Sequence, residues 1–138
     1  MKLTRYFIEY ILIIVLFSLF KLLGYRTASE LGYSLGKTFG PFFRSKKIIK
    51  NNLLKFDSSL TPEKMSRISK EMWGNYGRIL SEYPYISNFR KGNLNKYITV
   101  ENLEKLEEIK KSQPVVFVSA HFSNFELMAM AIEKAGVN

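Results

Sequence analysis

Residues 115–126 read VVFVSAHFSNFE, and the reading of the fold turns on them. Val115 to Val118 form an unbroken apolar run after Gln113-Pro114, the pattern of a short strand covered on both faces. Phe122 or Ser123 then opens a helix carrying Leu127, Met128, Met130, Ala131 and Ile132, closed by Gly136. Such a strand delivers His121, the one histidine of the chain, to the carboxyl end of a sheet, where α/β domains place their chemistry. Glu126 follows five positions later. On one continuous helix that separation turns two side chains about 140° apart, so the pair meets only if His121 sits on the turn before the helix.

Two readings of the pair follow from the residues. In the first, Glu126 accepts a hydrogen bond from one imidazole nitrogen, and the other nitrogen takes a proton from a substrate hydroxyl, with helix amides near a developing oxyanion. In the second, Ser123-Asn124-Phe125-Glu126 is a capping box, S-x-x-E, and His121 packs among phenylalanines. The residues alone leave both open.

Upstream, Tyr97 to Val100 reads as a second short strand and Glu101 to Lys111 as an exposed helix, while Asn88 to Asn95 is polar and reads as a loop. Strand, helix, strand, helix is the beginning of an α/β domain. Before it, Thr61-Pro62-Glu63 is a helix start: a capping threonine, a proline at the first helical position and an acid in the positive first turn. Met65, Ile68, Met72, Tyr76, Ile79, Leu80 and Tyr83 continue it at helical spacing towards Pro84, with Trp73 in a stripe expected to pack into a core. Thr27 to Phe39 predicts another helix, in which Gly32 and Gly36 permit close helix approach, ended by Gly40-Pro41. From Phe42 to Phe56, paired apolar residues alternate with basic ones, predicting a helix with one apolar and one cationic face.

At the N-terminus, Tyr6 to Leu23 is interrupted only by Glu9, Ser18 and Lys21. As a helix this stretch spans roughly 27 Å, close to the thickness of a hydrocarbon core. A membrane helix is the expectation, against a buried or interfacial helix. A signal peptide fits less well, because no small-residue cleavage site follows Lys21. The net charge is +9, and Leu31 to Phe56 holds six basic residues and no acidic one, a segment drawn to anionic headgroups on the cytoplasmic side. No nucleic-acid motif accompanies that charge, so no nucleic-acid partner is expected. Without cysteine there is no disulfide framework or thiolate metal site, and neither a metal nor a cofactor is expected.

His121, Phe122, Ser123, Asn124, Phe125 and Glu126 resemble the H-x-x-x-x-E motif of the lipid A biosynthesis acyltransferases, typically His-x-Gly-Asn-Trp-Glu between a strand and an Ala/Leu-rich helix. The apolar N-terminus, the basic segment before Asn52-Leu53, the helix containing Asn75-Tyr76-Gly77-Arg78 and the entry Val100-Glu101-Asn102-Leu103-Glu104 fall where that family has similar features. Ser123 stands in place of the usual glycine, and Phe125 in place of the usual tryptophan.

The resemblance implies a membrane-anchored acyltransferase of the inner membrane, its catalytic part on the cytoplasmic face. It would transfer a fatty acyl chain from acyl carrier protein to a hydroxyl of a lipid A precursor. His121 would be the general base and Glu126 its orienting partner; Ser123 and Asn124 would shape the turn, and Arg44, Lys46, Lys47 and Lys50 would face lipid phosphates or the acidic carrier protein. Family members are longer, with further arginine and substrate-tunnel motifs beyond Asn138. The expected organisation is therefore a membrane helix over 1–24 and, over 25–138, the first part of an α/β acyltransferase domain that would be inactive alone. A related glycolipid or lysophospholipid acyltransferase, and a non-catalytic membrane-bound remnant, are the alternatives.

Overall fold

A computed structural model of the chain describes residues 2–109, 114–120 and 123–136. The described residues divide into two compact units, Met1–Pro84 and Tyr85–Asn138.

The first unit is helical. Helix α1 spans Lys2–Leu23, 22 residues with a mean hydropathy of 2.2, long and apolar enough to cross a membrane. At about 1.5 Å per residue it extends roughly 33 Å. From Leu3 through Val15 its large apolar side chains are exposed, and Phe20 alone is buried. A helix apolar all round is stable only against lipid or protein, so this surface is built for a non-aqueous neighbour. Gly24, at φ +78°, turns the chain into α2 (Tyr25–Phe39), and its carbonyl accepts from Ala28 N at 2.9 Å. Lys21 Nζ donates to Pro84 O at 3.2 Å, fastening the end of α1 beyond the end of α4 (Pro62–Glu82).

Helices α2 and α4 form the centre of this unit and run antiparallel: Ser29 meets Glu82, Glu30 meets Arg78, and Lys37 meets Glu71. Their backbones touch, because a Cβ added at Gly36 would lie 2.3 Å from Trp73 O and one at Gly32 would lie 2.5 Å from Gly77 O. The glycine spacing therefore acts as the sequence implies. The buried face of α4 is made of small and polar residues, Gly74, Ser81 and Glu82, with Met65 near its start. Glu82 is 6% exposed and accepts from Ser29 Oγ at 2.8 Å and Tyr25 Oη at 3.2 Å, which offsets the cost of burying a carboxylate.

This differs from the core expected from the apolar stripe of α4. Tyr76 is 59% exposed, Ile68, Leu80 and Tyr83 are also exposed, and Trp73 is half-buried against Phe43 and Tyr76. Close glycine packing decided which face went inside.

Thr61 caps α4 as its sequence predicts, Oγ1 accepting from Lys64 N at 3.3 Å. Helix α3 is shorter than expected, Lys46–Phe56, because Gly40–Phe42 forms a 3₁₀ turn around Pro41 and leaves Phe42 and Phe43 exposed. An Asp57 turn, with Ser59 N and Oγ donating to Oδ1 at 2.9 and 2.6 Å, links α3 to α4.

The second unit is also helical and corrects the expected α/β class. Its helices are α5 (Ile86–Arg90), α6 (Leu103–Ile109) and α7 (Glu126–Lys134). Among the described residues there is no strand and no sheet. Tyr97 closes a 3₁₀ turn, and 98–100 continue irregularly. Residues 115–118 are irregular as well; Val116 is 85% and Val118 89% exposed, where a doubly covered strand would have been buried. The physical reason is that β-branched and apolar residues favour a pleated, covered surface only when a neighbouring strand takes up their N–H and C=O groups. Neither segment has such a neighbour among the described residues. Conversely, the polar stretch from Asn88, expected to be a loop, begins inside α5, whose Phe89 is fully buried.

Candidate active site

Helix α7 is held at its C-terminal end. Lys134 Nζ donates to Phe89 O at 2.8 Å and to Asn95 Oδ1 at 3.5 Å, while Arg90 pairs with Glu133. Met130, 8% exposed, is the apolar residue that α7 buries. These contacts set where the N-terminal end of the helix lies within its unit, and that end carries the candidate residues.

There the chain turns sharply. Ser123 sits at φ +46°, in the left-handed region that non-glycine residues enter at a cost of about 1–2 kcal/mol. Asn124 and Phe125 follow in the turn; Asn124 O accepts from Leu127 N and Phe125 O from Met128 N, both at 3.1 Å. Two amides of the first helical turn are thus engaged with the backbone, which narrows the donors left for an oxyanion. Glu126 is the first residue of α7, half-buried, with its charge in the positive first turn.

The capping-box alternative is corrected by this geometry. The N-cap position belongs to Phe125 and carries no side-chain cap hydrogen bond, so Ser123 does not cap the helix and Glu126 does not sit three residues into it. The left-handed turn at Ser123 consumes the residues that a capping box would have used. His121 and Phe122 lie outside the described residues. Of the predicted site residues in this unit, Ser123, Asn124 and Glu126 are brought together on one turn.

The predicted basic residues belong to the first unit. Arg44 lies in the turn before α3, and Lys46, Lys47 and Lys50 lie on α3 itself, all exposed. Lys46 and Lys50 line a groove with Lys70 of α4; Arg44 and Lys47 do not. Lys70 was not singled out from the sequence, although it falls on the polar side of the α4 periodicity, the face from which a helix can answer a basic neighbour. Among the described residues no three His, Cys, Asp or Glu side chains gather as a metal site would require.

Comparison with known proteins adds one positive result. A family model described as bacterial lipid A biosynthesis acyltransferase matches residues 1–137. No curated protein and no solved structure matches the chain. The family match runs through the apolar helix, the α2–α4 pair and the turn that ends at Glu126, and on that extent the chain belongs to the bacterial lipid A biosynthesis acyltransferase family.

Proposed function

We propose that the chain works in acyl transfer from acyl carrier protein to a hydroxyl of a lipid A precursor, at the cytoplasmic face of the inner membrane, with α1 as its anchor. The observation that carries this reading is the placement of Glu126 at the first position of α7, directly after the left-handed turn at Ser123, within a chain that the family model matches over residues 1–137. His121 acts as general base. It takes the proton of the acceptor hydroxyl as the oxygen attacks the thioester carbonyl; the new C–O bond forms, the C–S bond breaks, and the proton passes to the departing thiolate. Glu126 holds the imidazole by one nitrogen and balances the imidazolium that forms. Asn124 and Ser123 shape the turn between them. Arg44, Lys46, Lys47 and Lys50 face lipid phosphates or the acidic carrier protein.

The test is reconstitution of the chain, with any coding sequence downstream of Asn138, in phospholipid vesicles containing a lipid A precursor, with acyl carrier protein as donor. Acyl transfer lost in His121→Ala supports the assignment, and unchanged transfer in that variant rejects it. Transfer to a lysophospholipid in place of the lipid A precursor would move the chain to the related lysophospholipid activity.

A further inference from the structure

The cationic groove between α3 and α4 has a chemistry of its own. It encloses about 300 Å³. Three lysines border it, Lys46 and Lys50 from α3 and Lys70 from α4. Ile49 and Leu53 are half-buried, and Met65 is buried; together they give it an apolar wall, while Ser66 and Ser69 add hydroxyls. No carboxylate lines it.

Elsewhere on this unit, three cations pair with carboxylates. Lys37 pairs with Glu71 at 2.7 Å, Arg78 with Glu30 at 3.3 Å, and Arg5 with Glu9 at 2.7 Å. Lys46, Lys50 and Lys70 have no ion-pair partner among the described residues. Three like charges gathered around one groove repel each other unless an anion is shared between them. The apolar wall asks that this anion carry hydrocarbon next to its charge.

From this we infer that the α3–α4 groove is a binding site for an anionic phospholipid. The phosphate would lie among Lys46, Lys50 and Lys70, hydroxyls of Ser66 and Ser69 would donate to its oxygens, and the glycerol ester and first methylenes would rest on Ile49, Leu53 and Met65. A lipid is the occupant, in preference to an acidic protein, because the same compact unit contains α1 and because the apolar wall has no use for a purely ionic partner. The inference does not rest on acyl transfer. It gives the helical unit a headgroup contact that fixes its depth and rotation at the membrane surface.

The experiment uses the full chain in a neutral detergent and measures binding of short-chain phosphatidic acid, dihexanoylphosphatidylcholine and inorganic phosphate by calorimetry. Phosphatidic acid is expected to bind, phosphatidylcholine to bind far more weakly, and inorganic phosphate to bind weakly because it leaves the apolar wall empty. Lys50→Gln/Lys70→Gln is expected to weaken phosphatidic acid binding about thirtyfold, at roughly fivefold per lysine. The matched pair Lys55→Gln/Lys64→Gln removes the same charge from residues that do not line the groove, and is expected to change binding less than about twofold. Equal loss in both double variants would reduce the groove to diffuse surface charge. Equal affinity for inorganic phosphate, or undiminished phosphatidic acid binding in Lys50→Gln/Lys70→Gln, would likewise overturn the proposal.

Discussion

The carbonyl oxygen of Gly32 occupies the space that a side chain on Gly77 would need: a Cβ built at Gly77 would lie 2.1 Å from it, and 2.8 Å from the Cα of Gly36. The obstacle is backbone of the facing helix, which cannot rotate away as a long side chain would. Alanine at 77 gains up to about 1 kcal/mol of helix propensity but forces α2 and α4 apart, an overpacking cost of about 3 kcal/mol at such a site. The expected outcome for Gly77→Ala is a net loss of about 2 kcal/mol, read as a lower midpoint in chemical denaturation of the detergent-solubilised chain.

A second prediction concerns acid. Glu71 accepts from Lys37 Nζ at 2.7 Å and also bonds Tyr33 Oη. The Lys37 bond first, and the Tyr33 bond second, hold its carboxyl below the ordinary glutamate value of 4.5. The same contacts raise Lys37 above its ordinary 10.5, Glu71 contributing most. A depressed carboxylate contributes stability that is full above the unfolded pKa and is lost as pH falls through the folded one; the raised amine contributes stability that is full below 10.5 and lost as pH rises past its folded value. Glu71→Gln is therefore expected to flatten the decline of stability below pH 4.5, in denaturation midpoints measured across pH, and to leave the Asp57 and Glu63 contributions to that decline in place.

Much of the first unit is legible in the sequence because its signals are local. A threonine cap, a proline at the first helical position and a glycine between two apolar periods specify the start of α4 and the break after α1 without reference to any partner. The buried face of α4 was not legible in the same way. Hydrophobic periodicity points to Met72, Tyr76 and Ile79, whereas Gly74, Ser81 and Glu82 are the residues buried beyond the first turn, because contact between backbones depends on what faces them from α2. The two expected strands failed for a related reason. Val115 to Val118 has the composition of a covered strand, but pairing is a property of two segments, and a single segment cannot announce whether its neighbour is present. At the candidate site, the phase of the helix was not readable: Ser123 matches a capping serine in sequence, and only its positive φ shows that the helix starts three residues later.

That positive φ yields a third prediction. Ser123 is at φ +46° in a motif where the resembling family usually carries glycine, the residue with no Cβ to clash in this region. Ser123→Gly is expected to stabilise the turn by about 1 kcal/mol, and Ser123→Val, with a branched Cβ, to destabilise it by more. Hydrogen exchange at the first-turn amides of α7 measures both, since Leu127 N and Met128 N are held by the carbonyls of this turn. Slower exchange in the glycine variant is the expected sign.

The fourth prediction separates a catalytic Glu126 from a merely structural one. Glutamine at 126 keeps the size and the acceptor oxygen of glutamate but carries no charge to balance an imidazolium. In the first turn of α7 the lost charge costs about 0.3–1 kcal/mol of helix stability, so the fold should barely register the change. If Glu126 orients and compensates His121, Glu126→Gln lowers kcat about a hundredfold or more and leaves KM for the acceptor nearly unchanged, because the carboxylate acts on the base and not on the substrate. The pH dependence of kcat should shift as well, its acidic limb moving to lower pH, since an imidazole without a neighbouring carboxylate holds its proton less tightly. A variant whose melting temperature and activity fall together, with the pH profile in place, would instead assign Glu126 to the helix start alone.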